Sequence, residues 1–154
     1  NAVRIRKFSN FRINAGINDA WFNLATAGQG FFIIVFPDRG EIFLSWFTFD
    51  TVRPPEDVTA FLGEPGHRWL TAQGTFDGDT ATLNVYLTEG GVFDSANPKA
   101  ETGDPIGAIS IVWHDCENAT LSYDIDPPGV MGTIGLQRIK PDNVALCETL
   151  AEGN

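Results

Sequence analysis

Tryptophans beside polar side chains are the feature of this sequence best suited to hold a ligand. Trp46 and Trp69 lie in two stretches that read as neighbouring strands, and polar residues follow each of them at a spacing of two. Alternate residues of a strand share a face, so an aromatic ring would lie beside hydroxyl and amide groups. Such a surface suits a sugar or another small polar molecule, which stacks on the ring and is oriented by the amide. The predicted ligand-binding residues are Trp46, Thr48, Trp69, Thr71, Gln73 and, in a preceding loop, Gln29. The alternative is that these tryptophans fill the protein core, as we expect for Trp21 and Trp113.

Catalytic and metal-binding patterns are weak in this chain. Ser110, His114 and Asp115 contain the residue types of a hydrolytic triad. Four residues of extended strand separate Ser110 from His114 by roughly 13 Å, which is too far for a nucleophile and its base. His67 is remote from His114 in sequence, and the short acidic runs read as turn residues rather than calcium loops. We predict no catalytic residues, no metal and no cofactor.

The two cysteines, Cys116 and Cys147, occur where the strand pattern ends and in the C-terminal tail. A disulfide between them would tie the tail to the body of the domain and add roughly 3–4 kcal/mol of stability. We expect this bond, and therefore a secreted, periplasmic or cell-surface protein. The alternative is a pair of reduced cysteines packed as small apolar residues.

Charge is distributed unevenly along the chain. The net charge is −10, yet residues 1–18 hold four basic residues and no acid, leaving six basic and 20 acidic residues elsewhere. An acidic protein repels nucleic acid and anionic membranes, so neither is an expected partner. No apolar run approaches the roughly 20 residues that span a membrane. Val3, Arg4, Ile5 and Arg6 alternate apolar and basic side chains, which predicts a basic edge strand that could dock on a neighbouring copy.

Successive strands joined by short turns dominate the pattern, and the strongest is the hairpin within residues 28–50. Its first strand, Phe31–Phe36, is continuously apolar, which predicts burial on both faces. Pro37-Asp38-Arg39-Gly40 forms the turn, and Glu41–Phe49 the second strand. Further predicted strands are Ala2–Phe8, His67–Phe76, Thr80–Thr88, Ile106–Cys116, Ala119–Asp126 and Val130–Ile139. We therefore predict an all-β protein: an antiparallel up-and-down barrel of about eight strands, with a two-sheet sandwich as the alternative.

One short helix is predicted within residues 51–66. Pro55 supplies a helix start, Val58, Phe61 and Leu62 share one helical face, and Gly63 provides a stop. The tail is expected to be at most partly helical around Val144–Leu150. The predicted organisation is a basic arm over residues 1–18, a single barrel domain over 19–150 and a tail over 151–154.

Several motifs together resemble a β-rich domain that recurs in exported bacterial proteins. They are Trp21-Phe22-Asn23 followed by GQG at 28–30, WFTFD at 46–50, WLTAQG at 69–74, and HDC at 114–116 followed by a tyrosine-bearing strand. The resemblance covers most of residues 17–150 and implies export and a β-rich fold, with no established activity. A looser similarity to avidin and lipocalin barrels rests on Trp21 near the first strand and Arg138 on the last, and implies architecture only.

Three functions remain open from the sequence. The first is a secreted, non-catalytic module that binds a small molecule, glycan or protein. The second is a structural subunit that oligomerises or polymerises through its N-terminal strand. The third is an extracellular hydrolase, for which the chain offers no catalytic constellation.

Overall fold

The computed structural model describes residues 11–152, and its centre is a closed antiparallel barrel of eight strands. The barrel strands are β1 (Asp19–Phe22), β2 (Gly30–Phe36), β3 (Glu41–Phe49), β4 (His67–Asp77), β5 (Thr80–Tyr86), β8 (Gly107–Trp113), β9 (Asn118–Ile125) and β10 (Val130–Arg138). Two short strands, β6 (Thr88–Glu89) and β7 (Glu101–Thr102), form a separate hairpin in the connection between β5 and β8. Among residues 11–152 a single α-helix, α1 (Val144–Glu152), follows the barrel, and short 3-10 turns occupy Ala15–Ile17, Leu24–Thr26 and Pro37–Arg39.

Strand order follows chain order around the barrel, and β10 returns to pair with β1. This confirms the predicted up-and-down barrel and excludes the two-sheet sandwich. Pro37 and Gly40, the latter at φ 63°, form the turn between β2 and β3 as the sequence predicts. Closure pairs the backbone of every barrel strand on both sides, so the sheet has no free edge.

The apolar run of β2 is not buried on both faces, and that prediction is wrong. Phe31, Ile33 and Val35 point into the barrel, whereas Phe32 and Ile34 are exposed on its outside. The physical reason is that a barrel has only one interior, and no second layer covers the outside of β2 in the described chain.

One end of the barrel is closed by a layer of packed side chains and by the C-terminal helix. Trp21 and Trp113 are fully buried there in an edge-to-face pair, with ring centroids 6.1 Å apart. The predicted disulfide is confirmed: Cys116 and Cys147 are joined, and their Cα atoms are 5.8 Å apart. It fixes α1 beside the 3-10 turn at Ala15–Ile17. The interior of the barrel is therefore filled at this end by packed side chains.

The helix predicted within residues 51–66 is absent, and that segment consists of turns and bends. Val58, Phe61 and Leu62, expected to form its packed face, are all exposed. An isolated two-turn helix is marginal in water unless an apolar face is buried, and nothing here buries it. The helix of this fold is instead α1, which forms over the tail stretch that the sequence marked as partly helical.

The described part of the predicted basic arm packs onto the barrel. Ile13 and Ile17 belong to the core, and the Ile13 N–H donates to the Gly78 carbonyl in the β4–β5 turn. The predicted arm residues Val3, Arg4, Ile5 and Arg6 lie outside the described residues. Within residues 11–152, α1 is too short to cross a membrane.

Candidate functional site: the cavity at the open end of the barrel

The end of the barrel opposite the disulfide encloses a cavity of about 850 Å³. Its mouth is formed by the ends of β3 and β9, the start of β4 and the segments that follow β5 and precede β2. A cavity of this volume lies within the range, roughly 300–1,000 Å³, that accommodates small organic molecules.

Aromatic rings form the floor of the cavity. Trp46 on β3 lies between Phe31 on β2 and Tyr123 on β9, with ring centroids 5.0 Å and 5.5 Å away respectively. Phe31 and Trp46 are paired residues in the β2–β3 register, which places both side chains on the inner face. Trp46 is 8% exposed, and this remaining surface faces the cavity. The floor is therefore a packed aromatic layer that still offers ring surface to a ligand.

Aliphatic side chains form the walls above this floor. Five of them come from different strands and connections of the barrel: Leu70, Leu87, Ile106, Ile125 and Ile134. The binding free energy becomes more favourable when a ligand displaces water from these apolar walls, by about 25 cal/mol per Å² of apolar surface buried.

Polar residues are concentrated at the rim. Thr48 donates from its hydroxyl to the side-chain oxygen of Gln29, at 2.6 Å. Arg68 forms an ion pair with Asp50, in which the Nη2 and Oδ2 atoms are 2.9 Å apart. The rim is thus wet and hydrogen-bonding, whereas the interior is apolar.

Within the described chain, protein acceptors occupy four of the five guanidinium N–H groups of Arg68, and one N–H of Nη2 remains. Its Nε and Nη2 atoms both bind Asp50, and its Nη1 atom donates to the carbonyls of Pro65 and His67, each at 2.7 Å. It is the only lysine or arginine among the described residues that line the cavity. An anionic ligand would gain only this single N–H from a guanidinium whose charge Asp50 already balances.

The rim also carries negative charge. Glu89 lines the mouth and has no ion-pair or hydrogen-bond partner among residues 11–152. Glu101 is its direct neighbour across the β6–β7 hairpin. Two carboxylates in opposed strand positions repel each other. The potential at this side of the mouth is therefore negative.

The structure separates the six predicted ligand-binding residues into two groups. Gln29, Trp46 and Thr48 come together at the cavity. Trp69 is paired with Phe47, so its side chain lies on the outer face of β4 and only borders the mouth. Thr71 and Gln73 lie on the same outer face and do not line the cavity. The expectation that Trp46 and Trp69 share one wall is wrong, because Trp46 is paired with Leu70, the neighbour of Trp69 on the opposite face.

Tyr123 is the cavity residue that sequence reasoning missed. It lies midway between the buried residues Leu121 and Ile125 on β9, two residues from each. Residues spaced by two share a face of the strand, so the sequence already assigned Tyr123 to the inner face. Its ring lies over Gly132 of β10. A Cβ atom at that position would collide with the Tyr123 hydroxyl, so the glycine leaves room for the ring. Its hydroxyl forms no hydrogen bond within the described chain, so it is free to bind a ligand.

The groups considered for catalysis and metal binding lie elsewhere or have other partners. His114 shares a 2.7 Å hydrogen bond with Thr120, and Ser110 is paired with Ser122 on the neighbouring strand. His67 borders the cavity mouth, where its Nδ1 accepts from the Glu64 N–H at 3.2 Å. Over residues 11–152, no three histidine, cysteine or acidic side chains are grouped closely enough to hold a metal ion.

Comparison with protein-family models, with curated proteins and with solved structures finds no match to this chain.

Proposed function

We propose that this protein is a non-catalytic binding module that holds a small amphipathic molecule in the open end of its barrel. The observation that carries the proposal is the aromatic floor of Phe31, Trp46 and Tyr123 beneath apolar walls and a polar rim. A planar apolar group fits against the floor, and the polar end of the same molecule remains at the mouth. The Tyr123 hydroxyl provides one directional contact inside the cavity.

The charge of the cavity favours a neutral or cationic ligand over an anionic one. The charge of Arg68 is balanced by Asp50, and its Nη1 donates to two carbonyls, while the Glu89 carboxylate has no partner among residues 11–152. The strongly acidic chain adds a general negative potential, which a cleft with apolar walls concentrates. A positively charged group at the mouth would relieve the repulsion between Glu89 and Glu101.

An oxidising compartment is part of the proposal. The Cys116–Cys147 disulfide supports it, since such bonds persist outside the reducing cytosol. The resemblance to domains of exported bacterial proteins points the same way. We propose a secreted, periplasmic or cell-surface location.

A matched series of naphthalene compounds tests the binding role. The three probes are 2-naphthylmethanol, 2-(aminomethyl)naphthalene and 2-naphthoate, which share one ring system and differ in charge. We expect calorimetric titration at low salt to give dissociation constants in the micromolar to millimolar range for the first two. The carboxylate should bind about fivefold or more weakly, with the difference decreasing as salt screens the mouth.

Two variants locate the binding event. Trp46→Phe replaces the indole of the cavity floor with a smaller ring and causes little loss of core volume. It should weaken binding of the neutral probe several-fold. Phe93→Leu changes an exposed aromatic residue that does not line the cavity, and should leave binding unchanged. Absence of binding by all three probes, or equal losses in the two variants, would refute the proposed site.

A further inference from the structure

A surface rich in aromatic side chains, with Ser45, Thr71 and Gln73 among them, covers the outside of the barrel over β2, β3 and β4. We call it the outer aromatic face, and it consists of Phe32, Ile34, Phe36, Phe43, Phe47, Phe49 and Trp69. Phe47 is its centre: its ring centroid is 5.1 Å from that of Phe32, and it is paired with Trp69 in the β3–β4 register. Apolar patches of this kind on soluble proteins mark interaction sites.

Gly30 helps to keep this surface flat. A Cβ atom at Gly30 would lie 3.3 Å from the Cζ atom of Phe47, tighter than an ordinary van der Waals contact. The absence of a side chain at Gly30 lets the Phe47 ring lie close to the sheet. The ring therefore joins the side chains of β2 to those of β4.

The outer aromatic face cannot recruit a partner by adding a strand. β2, β3 and β4 are each paired on both sides within the closed barrel. Their backbone donors and acceptors are consequently used, and only side chains are offered. The partner must present an apolar surface of its own, as one sheet does when it packs on another.

The exposed apolar area is comparable with the apolar part of a standard interface. Five of the side chains are about half exposed: Phe32 54%, Ile34 45%, Phe36 41%, Phe49 41% and Trp69 53%. At about 150–250 Å² for a large side chain, they offer about 350–590 Å² of apolar surface. A standard interface buries about 800 Å² per partner, of which about 65% is apolar in homodimers.

We propose that the outer aromatic face binds the same face of a second copy of this chain, giving a two-fold symmetric dimer. The charges near the face favour a second copy despite the acidic composition of the chain. Ion pairs lie at the two ends of β3, Arg39–Glu41 and Asp50–Arg68, and each pair is neutral as a whole. Asp38 and Asp77 have no ion-pair partner among residues 11–152, but they lie at the turn end of these strands, so two copies that meet around Phe47 leave both carboxylates at the rim. This dimer does not depend on the ligand proposed above.

Sedimentation velocity of the full chain from 1 µM to 1 mM measures the association. We expect a monomer–dimer equilibrium whose dissociation constant decreases when salt is added, because salt screens repulsion between acidic copies and leaves apolar contact intact. Phe32→Gln should raise this constant about tenfold or more. The side chain is half exposed, so the thermal unfolding midpoint should change little.

Matched variants make the test specific. Trp69→Gln removes a different ring of the outer aromatic face, and should weaken the dimer even if Phe32→Gln perturbs folding. Phe93→Gln removes a phenylalanine that is 82% exposed in the loop between β6 and β7, and should have no effect. A wild-type chain that stays monomeric at 1 mM, open-ended aggregates in place of a dimer, or equal effects of Phe93→Gln and Phe32→Gln would overturn the proposal. Capture of a different protein by this face without dimerisation would also overturn it.

Discussion

Arg138, on the last strand of the barrel, places its guanidinium carbon 4.6 Å from the ring centroid of Trp21 on the first strand. The two residues are direct partners in the β1–β10 register that closes the barrel. The Arg138 guanidinium also pairs with Asp19 and donates to the carbonyls of Cys116 and Gly16. The buried Arg138 guanidinium thus links the first and last strands of the barrel. It also holds the disulfide-bonded Cys116 and the 3-10 turn before β1 against them.

Replacing Arg138 with methionine should destabilise the protein strongly. The Asp19 carboxylate and two carbonyls would lose their partner in a buried environment, which typically costs about 3–5 kcal/mol. Urea unfolding followed by tryptophan fluorescence measures the loss. Arg39→Met breaks an ion pair that is exposed on the surface, and should leave the unfolding midpoint unchanged. Similar midpoints for the two variants would contradict the role assigned to Arg138.

Removing the disulfide should lower stability while preserving the barrel. The 31-residue separation of Cys116 and Cys147 gives an expected loss of ~3–4 kcal/mol in the Cys116→Ser/Cys147→Ser double variant. The far-UV circular dichroism should remain that of a β-protein, because the disulfide lies outside the strand ladder. Dithiothreitol should reduce the stability of the wild type to that of the double variant, and should not affect the double variant itself. A wild-type protein insensitive to reductant would contradict this expectation.

Gly16 should tolerate no side chain. A Cβ atom there would overlap the backbone of Cys147 in α1, which would have to move away from the barrel. We expect Gly16→Ala to cost about 1–3 kcal/mol in urea unfolding, the usual range for overpacking. Gly103→Ala is the matched control, since nothing lies within 4 Å of its added methyl group. A Gly16→Ala protein as stable as Gly103→Ala would show that α1 does not pack as described.

Gly132→Ala should change the cavity more than the stability. The added methyl group collides with the outer end of the Tyr123 side chain, which can rotate away at modest cost. We expect a stability change below about 1 kcal/mol, together with a several-fold change in affinity for 2-naphthylmethanol. Tyr123→Phe separates the two causes, because it removes the hydroxyl and leaves the ring. Unchanged affinity in both variants would exclude Tyr123 from the binding site.

Local patterns were enough to predict most of the barrel. Most strands carry an alternation of polar and apolar residues, β2 is a continuous apolar run, and turn residues such as Pro37 and Gly40 mark the reversals, so strand positions are encoded within short windows. The segment over residues 51–66 was misread for the same reason. Its capping residues and apolar spacing satisfy local rules for a helix, but the fold provides no surface on which that helix could be buried.

The sequence by itself predicted the antiparallel meander, favoured the disulfide between its two cysteines and marked the alternation of the strands whose polar and apolar residues alternate. Only the tertiary structure decided which face is the interior and how strands align in register. A shift of one residue in register reverses the face of every side chain, and no local signal fixes it. For this reason Trp46 lies on the cavity floor while Trp69, on the neighbouring strand, belongs to the outer aromatic face.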